Sequence, residues 1–220
     1  MVLYPSIALS DIYNMSCFFS GAWILLGKAL PPVLMQLINK VPGLLVPSLG
    51  FNKQEYLGAC CGMIIVGLAA MFGVLRFGIS EHKFIGANKD VATMAKFVGL
   101  PLVGLDFGHS VLYGTPTPVL MVLVQLMCLV LFETVTRSLV SDREGLTVLF
   151  NLGLVISPVI YFAHIKNDVI TLVAMIVFLI GALGIGDSFE KRIAGIRRVD
   201  WFHYIIGSTW FVLACRLISV

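Results

Sequence analysis

Seven continuous apolar runs, each close to the length of a bilayer crossing, constrain this chain more than any other feature in it. A helical span needs about 20 mostly apolar residues, and the chain supplies such runs at about 14–37, 56–75, 91–112, 118–135, 147–164, 170–186 and 201–220. The runs are unbroken rather than alternating, which argues against a membrane barrel, where lipid-facing and lumen-facing residues alternate. A helix satisfies its own backbone in lipid. The residues are 59% hydrophobic and 12% charged, against about 45–50% and about 25% in soluble domains, so a soluble fold is excluded. The expected fold is an all-α, polytopic transmembrane helix bundle of about seven spans, with residues 1–220 forming one integral membrane domain.

The first span carries Lys28 and the pair Pro31-Pro32, which must kink or end the helix. The loop after it, 39–55, is rich in Pro and Gly yet still apolar, as an interfacial or re-entrant piece would be. The N-terminal stretch has no Lys or Arg ahead of its apolar run, so an uncleaved first span is expected. Counting Lys and Arg by side gives Arg76, Lys83, Lys89, Arg137, Arg143, Lys191, Arg192, Arg197 and Arg198 on one side and Lys40, Lys53 and Lys166 on the other. Nine against three makes the first side cytoplasmic, or matrix in a mitochondrion, and puts the N-terminus there. The endoplasmic reticulum and the mitochondrial inner membrane are the organelles considered.

Ionisable residues inside spans are rare and expensive, and they are the first candidates for function. Here they are Lys28, Lys96, Asp106, His109 and Arg216, with Glu133, Asp187 and His203 near span ends. Asp106 and His109, three residues apart, share a helix face, and as an acid–base pair they are the catalytic candidates. The plainer reading, which the turn after Tyr113 favours, ends the span near Gly108 and leaves both residues wetted at the interface. Lys28, Asp106, His109 and Arg216 are the ligand or ion-pair candidates, with Lys28 expected to meet Asp106 or Glu133.

No metal site is expected: the four histidines sit on separate segments and no Cys-x-x-Cys occurs. The five cysteines lie within apolar runs and read as small buried residues. Gly58-x-x-x-Gly62 and Gly104-x-x-x-Gly108 permit close helix approach, and packing within the bundle is the favoured use. The segment from Glu190 to Tyr204 gathers cations before aromatic residues. Lys191, Arg192, Arg197, Arg198, Trp201 and Tyr204 are therefore lipid-anchor candidates, with the cations on anionic headgroups and the rings at the interface.

The stretch Ser20-Gly-Ala-Trp-Ile-Leu-Leu-Gly-Lys28 is followed by an apolar Pro/Gly loop and then by Tyr56-Leu-Gly-Ala-Cys-Cys-Gly-Met63. With Asn88-Lys-Asp-Val-Ala-Thr93, the His109 turn and Gly114, it resembles the DoxX-like superfamily of four-helix membrane proteins, which includes the neuronal acetylcholine receptor chaperone group. The resemblance covers about half the chain and leaves the last three spans unmatched. It implies a chaperone or accessory role in one branch and a quinone-linked oxidoreductase subunit in another, and no site residue is carried over from it.

The leading expectation is an accessory or assembly protein, or a supernumerary subunit of a membrane complex, without a catalytic site of its own. The alternatives are a small-molecule transporter or channel and a membrane-embedded enzyme built on Asp106 and His109. Expected partners are membrane lipids and other membrane-protein subunits. Nucleic acid is not among them, because the excess charge of +3 is small and scattered. The sequence specifies no cofactor beyond the structural lipids that a membrane bundle can hold.

Overall fold

In the computed structural model, residues 4–29, 56–111, 143–185 and 191–219 are described. Among them the chain forms helices α1 (Pro5–Ala29), α2 (Leu57–Gly78), α3 (Glu81–Met94), α4 (Leu100–Val111), α5 (Arg143–Ile165), α6 (Val169–Leu179) and α7 (Arg198–Ser219). A two-stranded hairpin, β1 (Arg192–Ile193) with β2 (Ile196–Arg197), precedes α7. The π-helical turns Ala95–Gly99 join α3 and α4 into one rod over Glu81–Val111, and Ile180–Ile185 extend α6 in the same way. Among the described residues, Leu57–Gly78, Glu81–Val111 and Arg198–Ser219 are long and apolar enough to cross a membrane, and Leu152–Ile165 and Val169–Ile185 are shorter apolar helices. The fourth expected span (118–135) and the loop 39–55 lie outside the described residues.

Two helices begin well before the apolar runs that announce them. Helix α1 starts at Pro5, a residue suited to the first helical position because its missing N–H is one the helix leaves unused and its φ is already helical. The expected start at Asn14 is thus corrected by more than two turns. The third rod starts at Glu81, ahead of the expected Val91. Its first turns are polar and largely exposed, so hydropathy does not register them. The widened turns at Ala95–Gly99 immediately precede Pro101, which has no N–H to donate and whose ring crowds the carbonyl one turn back.

The tight turn between α5 and α6 follows from local chemistry. Asn167 takes a left-handed conformation, φ 50°, so that the Asp168 N–H reaches Ala163 O at 2.8 Å and the Asn167 N–H reaches His164 O at 3.2 Å. These two bonds close the helix end in a Schellman motif. Asp168 then caps α6, its Oδ1 accepting from the Ile170 N–H at 3.2 Å.

Packing fixes the relative directions of the helices. Tyr4 meets Phe77, and Gly73 of α2 faces Asp11, so α1 and α2 are antiparallel. Ser10 meets Asp200, Asn14 meets Gly207 and Gly21 meets Ala214, so α1 and α7 are parallel. Gly104 faces Val155 and Gly108 faces Pro158, so α4 and α5 are parallel too. Phe178 stacks edge-on against Trp210 with ring centroids 5.3 Å apart, and Gly181 meets Ile205, which sets α6 antiparallel to α7. Lipid offers no hydrophobic drive between helices, so close backbone approach at small residues must hold them. At Gly62 a Cβ would stand 2.3 Å from the Gly99 carbonyl oxygen, which no larger residue could tolerate. Both small-residue pairs are therefore spent on contacts inside the chain.

Candidate functional site

Where α1, α2 and α7 meet, the structure assembles a polar cluster within the bundle. Ser10, Asp11 and Asn14 come from one face of α1, and Asp200 and His203 from the first turns of α7. Asp11 and Asp200 are each 3% exposed and Asn14 is 6% exposed. The Ser10 hydroxyl lies 3.0 Å from Asp200 Oδ1 and 2.9 Å from Ile7 O, a shared donation. His203 Nδ1 pairs with Asp11 Oδ1 at 2.9 Å, and Ser10 Oγ lies 3.3 Å from that same ring nitrogen. A nucleophile relay needs the hydroxyl and the carboxylate on opposite ring nitrogens. Here both approach Nδ1, so the set is no Ser-His-Asp triad.

Glycines let the helices close over this cluster. A Cβ on Gly73 of α2 would stand 2.3 Å from Asp11 Oδ2, and one on Gly207 of α7 would stand 2.8 Å from Asn14 Oδ1. On the outer side, Tyr13 packs edge-on against Tyr204 with centroids 5.2 Å apart, and its hydroxyl pairs with Ser208 Oγ at 2.7 Å. Sequence reasoning named His203 only as a residue near a span end and passed over Ser10, Asp11, Asn14 and Asp200. The spacing of Ser10, Asp11 and Asn14 on one helical face was a usable signal once Pro5 is taken as the helix start.

The catalytic candidates are not brought together as a working pair. Asp106 is 3% exposed, which corrects the expectation of a wetted interfacial residue: it faces the start of α2, where its Oδ2 accepts from the Ala59 N–H and the Gly58 N–H is also directed at the carboxyl. Tyr56, the residue preceding α2, offers no side-chain cap of its own. Asp106 thus caps α2 from another helix, supplying an acceptor for N–H groups that have no intrahelical partner. His109 is partly exposed one turn on, and among the described residues it forms no hydrogen bond or ion pair with Asp106.

Arg216, one of the ligand or ion-pair candidates, is held in an ion pair at the other end of the bundle. Its Nε and Nη2 donate to Asp168 Oδ2 and Oδ1 at 2.9 and 3.0 Å, and Thr171 Oγ1 adds a 2.6 Å bond to Oδ2. Burial pushes the Asp168 carboxyl up, but the hydrogen bonds from Arg216 and Thr171 outweigh it and hold it below the ordinary aspartate value. Lys96 is exposed. Lys28 lies in the last turn of α1; its side chain, like Glu133 and Asp187, lies outside the described residues. Among the described residues no group of three or more His, Cys, Asp or Glu is arranged to hold a metal ion.

The basic segment before α7 is a hairpin rather than a plain loop. Ala194 and Gly195 both have positive φ, 51° and 82°, the backbone that a tight two-residue hairpin turn requires. Arg192 and Arg197 stand opposite each other in its register. Arg197 lies over the Tyr4 ring with 4.9 Å to its centroid, Arg198 Nη2 donates to Gly184 O at 2.7 Å, and Trp201 Nε1 donates to Ile193 O at 3.1 Å. Of the six expected anchor residues, then, Arg197, Arg198 and Tyr204 contact other parts of the chain and Trp201 bonds back to the hairpin; Lys191 and Arg192 are exposed in the same segment as Ile193 and Ile196.

No protein-family model, no curated protein and no solved structure matches this chain.

Proposed function

We propose that the chain is a seven-span membrane protein that serves as an accessory or assembly subunit of a membrane complex. The observation that carries this reading is the use made of Asp106. Its carboxyl is spent on the backbone of α2, which ties it to holding helices together rather than to a substrate. The Asp168–Arg216 clamp serves the same purpose at the far end of α7. The resemblance of the first half to DoxX-like proteins implies an accessory role in one branch and a quinone-linked oxidoreductase subunit in another, so it does not choose between them.

The seven-span topology rests on parity. The parallel direction of α4 and α5 and the apolar run at 118–135 support an odd number of crossings between them. That count gives α1 and α7 the same direction, as their contacts have it. The end where α1 and α7 begin carries Arg76, Lys83 and the 191–198 cations, and it is the cytoplasmic or matrix end under the positive-inside rule. Single cysteines placed at Ser6 and at Lys166 of a cysteine-free variant test this, since a membrane-impermeant thiol reagent should label them from opposite sides.

The test of the accessory role is purification from the native membrane in mild detergent. Stoichiometric co-purification with one set of membrane subunits is the expected result, and isolation as a monomer with full activity of its own would overturn it. A transporter or channel is the second reading, favoured by one observation, the buried cluster of Asp11, Asp200 and His203.

A further inference from the structure

The hairpin ahead of α7 sets two arginines against each other. Arg192 and Arg197 are direct partners in its register. The Arg198 N–H bonds Lys191 O at 2.9 Å, which makes 191 and 198 a hydrogen-bonded pair. Arg192 and Arg197 therefore take the alternate, closer position, where Cα atoms stand about 4.5 Å apart. Like charges placed directly opposite are destabilising. Among the described residues neither side chain forms an ion pair or a hydrogen bond. The Tyr4 ring covers the face of the Arg197 guanidinium, but the N–H donors lie in the plane of that group and stay open to an acceptor.

Other donors at this end are short of acceptors as well. Arg76 Nε and Arg198 Nε are shut off from solvent and have no partner among the described residues. Arg76 directs its outer nitrogens at Asn88 and Glu81, and Arg198 uses Nη2 on Gly184 O. The carboxylates that the described residues bring against α1, α2 and α7 here are already engaged: Glu81 by Arg76, Asp200 by Ser10 and Asp11 by His203. The opposite face of the hairpin is apolar, since side chains alternate along a strand, and Ile193 and Ile196 there are 44% and 38% exposed. Trp201 Nε1 ties Ile193 O to the first turn of α7, a helix long and apolar enough to cross a membrane. That bond holds the isoleucine pair beside the point where the chain enters the bilayer.

We propose that the hairpin is a binding site for one anionic phospholipid in the leaflet at the basic end of the bundle, with the headgroup phosphate held between Arg192 and Arg197. The isoleucine face rests on the acyl boundary and keeps the hairpin at headgroup depth. Two guanidinium forks match the oxygens of a phosphate, and a phosphate monoester, at about −1.5 to −2 near neutral pH, balances both charges where a diester balances one. The lipid selected is therefore one whose headgroup ends in a phosphate monoester. The site stands or falls independently of the accessory role.

The test is native mass spectrometry of the full chain released from nanodiscs of phosphatidic acid, phosphatidylglycerol and phosphatidylcholine in equal parts. Wild type should retain one phosphatidic acid in preference to the other two. Arg192→Gln, at an exposed residue, should lower that occupancy about 5-fold, the worth of one cation near a membrane surface, and Arg197→Gln should do the same. Arg192→Lys keeps the charge but not the fork, and should narrow the preference over phosphatidylglycerol. Ile193→Ser with Ile196→Ser should reduce retention of phosphatidic acid, and Lys83→Gln, exposed on α3, should leave it intact. A wild type that retains the three lipids equally overturns the proposal without recourse to any variant. Equal losses from Lys83→Gln and Arg192→Gln overturn it in favour of diffuse attraction. Displacement of the lipid by excess glycerol phosphate overturns it in favour of a soluble anion, and a hairpin that retains no phosphatidic acid but crosslinks to an acidic co-purifying subunit overturns it in favour of a protein partner.

Discussion

Replacing Asp106 separates a structural carboxyl from a catalytic one. In Asp106→Ala the Ala59 N–H loses its acceptor and the Gly58 N–H loses the carboxyl it faces, in a site only 3% exposed where water cannot substitute. Each orphaned buried donor costs about 1–3 kcal/mol, and Tyr56 has no side-chain cap to take over. With two donors affected and some relaxation of the first turn, the loss should be about 2–4 kcal/mol. At roughly 2–4 °C per kcal/mol for a chain of this size, the midpoint should fall by about 5–15 °C. Asp106→Asn keeps an acceptor oxygen in place and should stay within about 1 kcal/mol of wild type. His109→Ala, at a partly exposed residue, should change little. The assay is thermal unfolding in detergent followed by a fluorogenic thiol reagent on variants that keep Cys60 as their single cysteine, because Cys60, beside Ala59, is 1% exposed whereas Cys61, contrary to the expectation of buried cysteines, is exposed and Cys17 and Cys215 are half-buried. An Ala variant that melts with wild type, or an Asn variant as damaged as the Ala one, would refute the capping argument.

Three further outcomes follow from the same contacts. Gly73→Ala places a methyl 2.3 Å from Asp11 Oδ2 and should destabilise the bundle by about 1–3 kcal/mol in the same thermal assay. Arg216→Leu leaves the Asp168 carboxylate buried and unpaired; because Arg216 is 28% exposed, the cost should be about 1–3 kcal/mol rather than the larger loss of a fully buried pair. The Asp168 carboxyl is held low in the folded state, so the clamp stabilises fully above the unfolded aspartate value of about 3.9 and is lost as pH falls through the folded value. Wild type and Asp168→Asn should therefore converge in acid and diverge at neutral pH. Finally, Lys191→Gln with Arg192→Gln should lower the anionic lipid retained through purification, by roughly 5-fold per charge if each cation contributes about 1 kcal/mol; native mass spectrometry counts the lipids.

The contrast between Asp106 and Asp11 illustrates what a sequence of this kind conveys. Asp106 stands out because it interrupts an apolar run, yet its role, capping a helix that begins 49 residues earlier in the chain, is set by a crossing that no local pattern encodes. Asp11 sits in a stretch polar enough to pass for a leading segment, and only Pro5 marks the helix that carries it into the bundle. The Schellman turn at Asn167 and the Asp168 cap are local hydrogen-bond chemistry, and the tight turn there was legible from Lys166-Asn167-Asp168 alone. Arg216 was legible as unusual, but its partner was not.

Read alone, the sequence determined the solvent: apolar runs of spanning length dictate helices in a bilayer, because each residue's transfer from water adds to the next and each helix closes its own hydrogen bonds. It also determined where the charges gather, since position along the chain is enough to count them. The tertiary structure alone decided which polar side chains meet. Those meetings depend on which face of a helix is turned inward and on glycines that let backbones approach at Gly62, Gly73 and Gly207. Contacts of that kind join residues far apart in the chain, such as Asp11 with His203 and Asp168 with Arg216, and periodicity within one helix carries no information about the helix beside it.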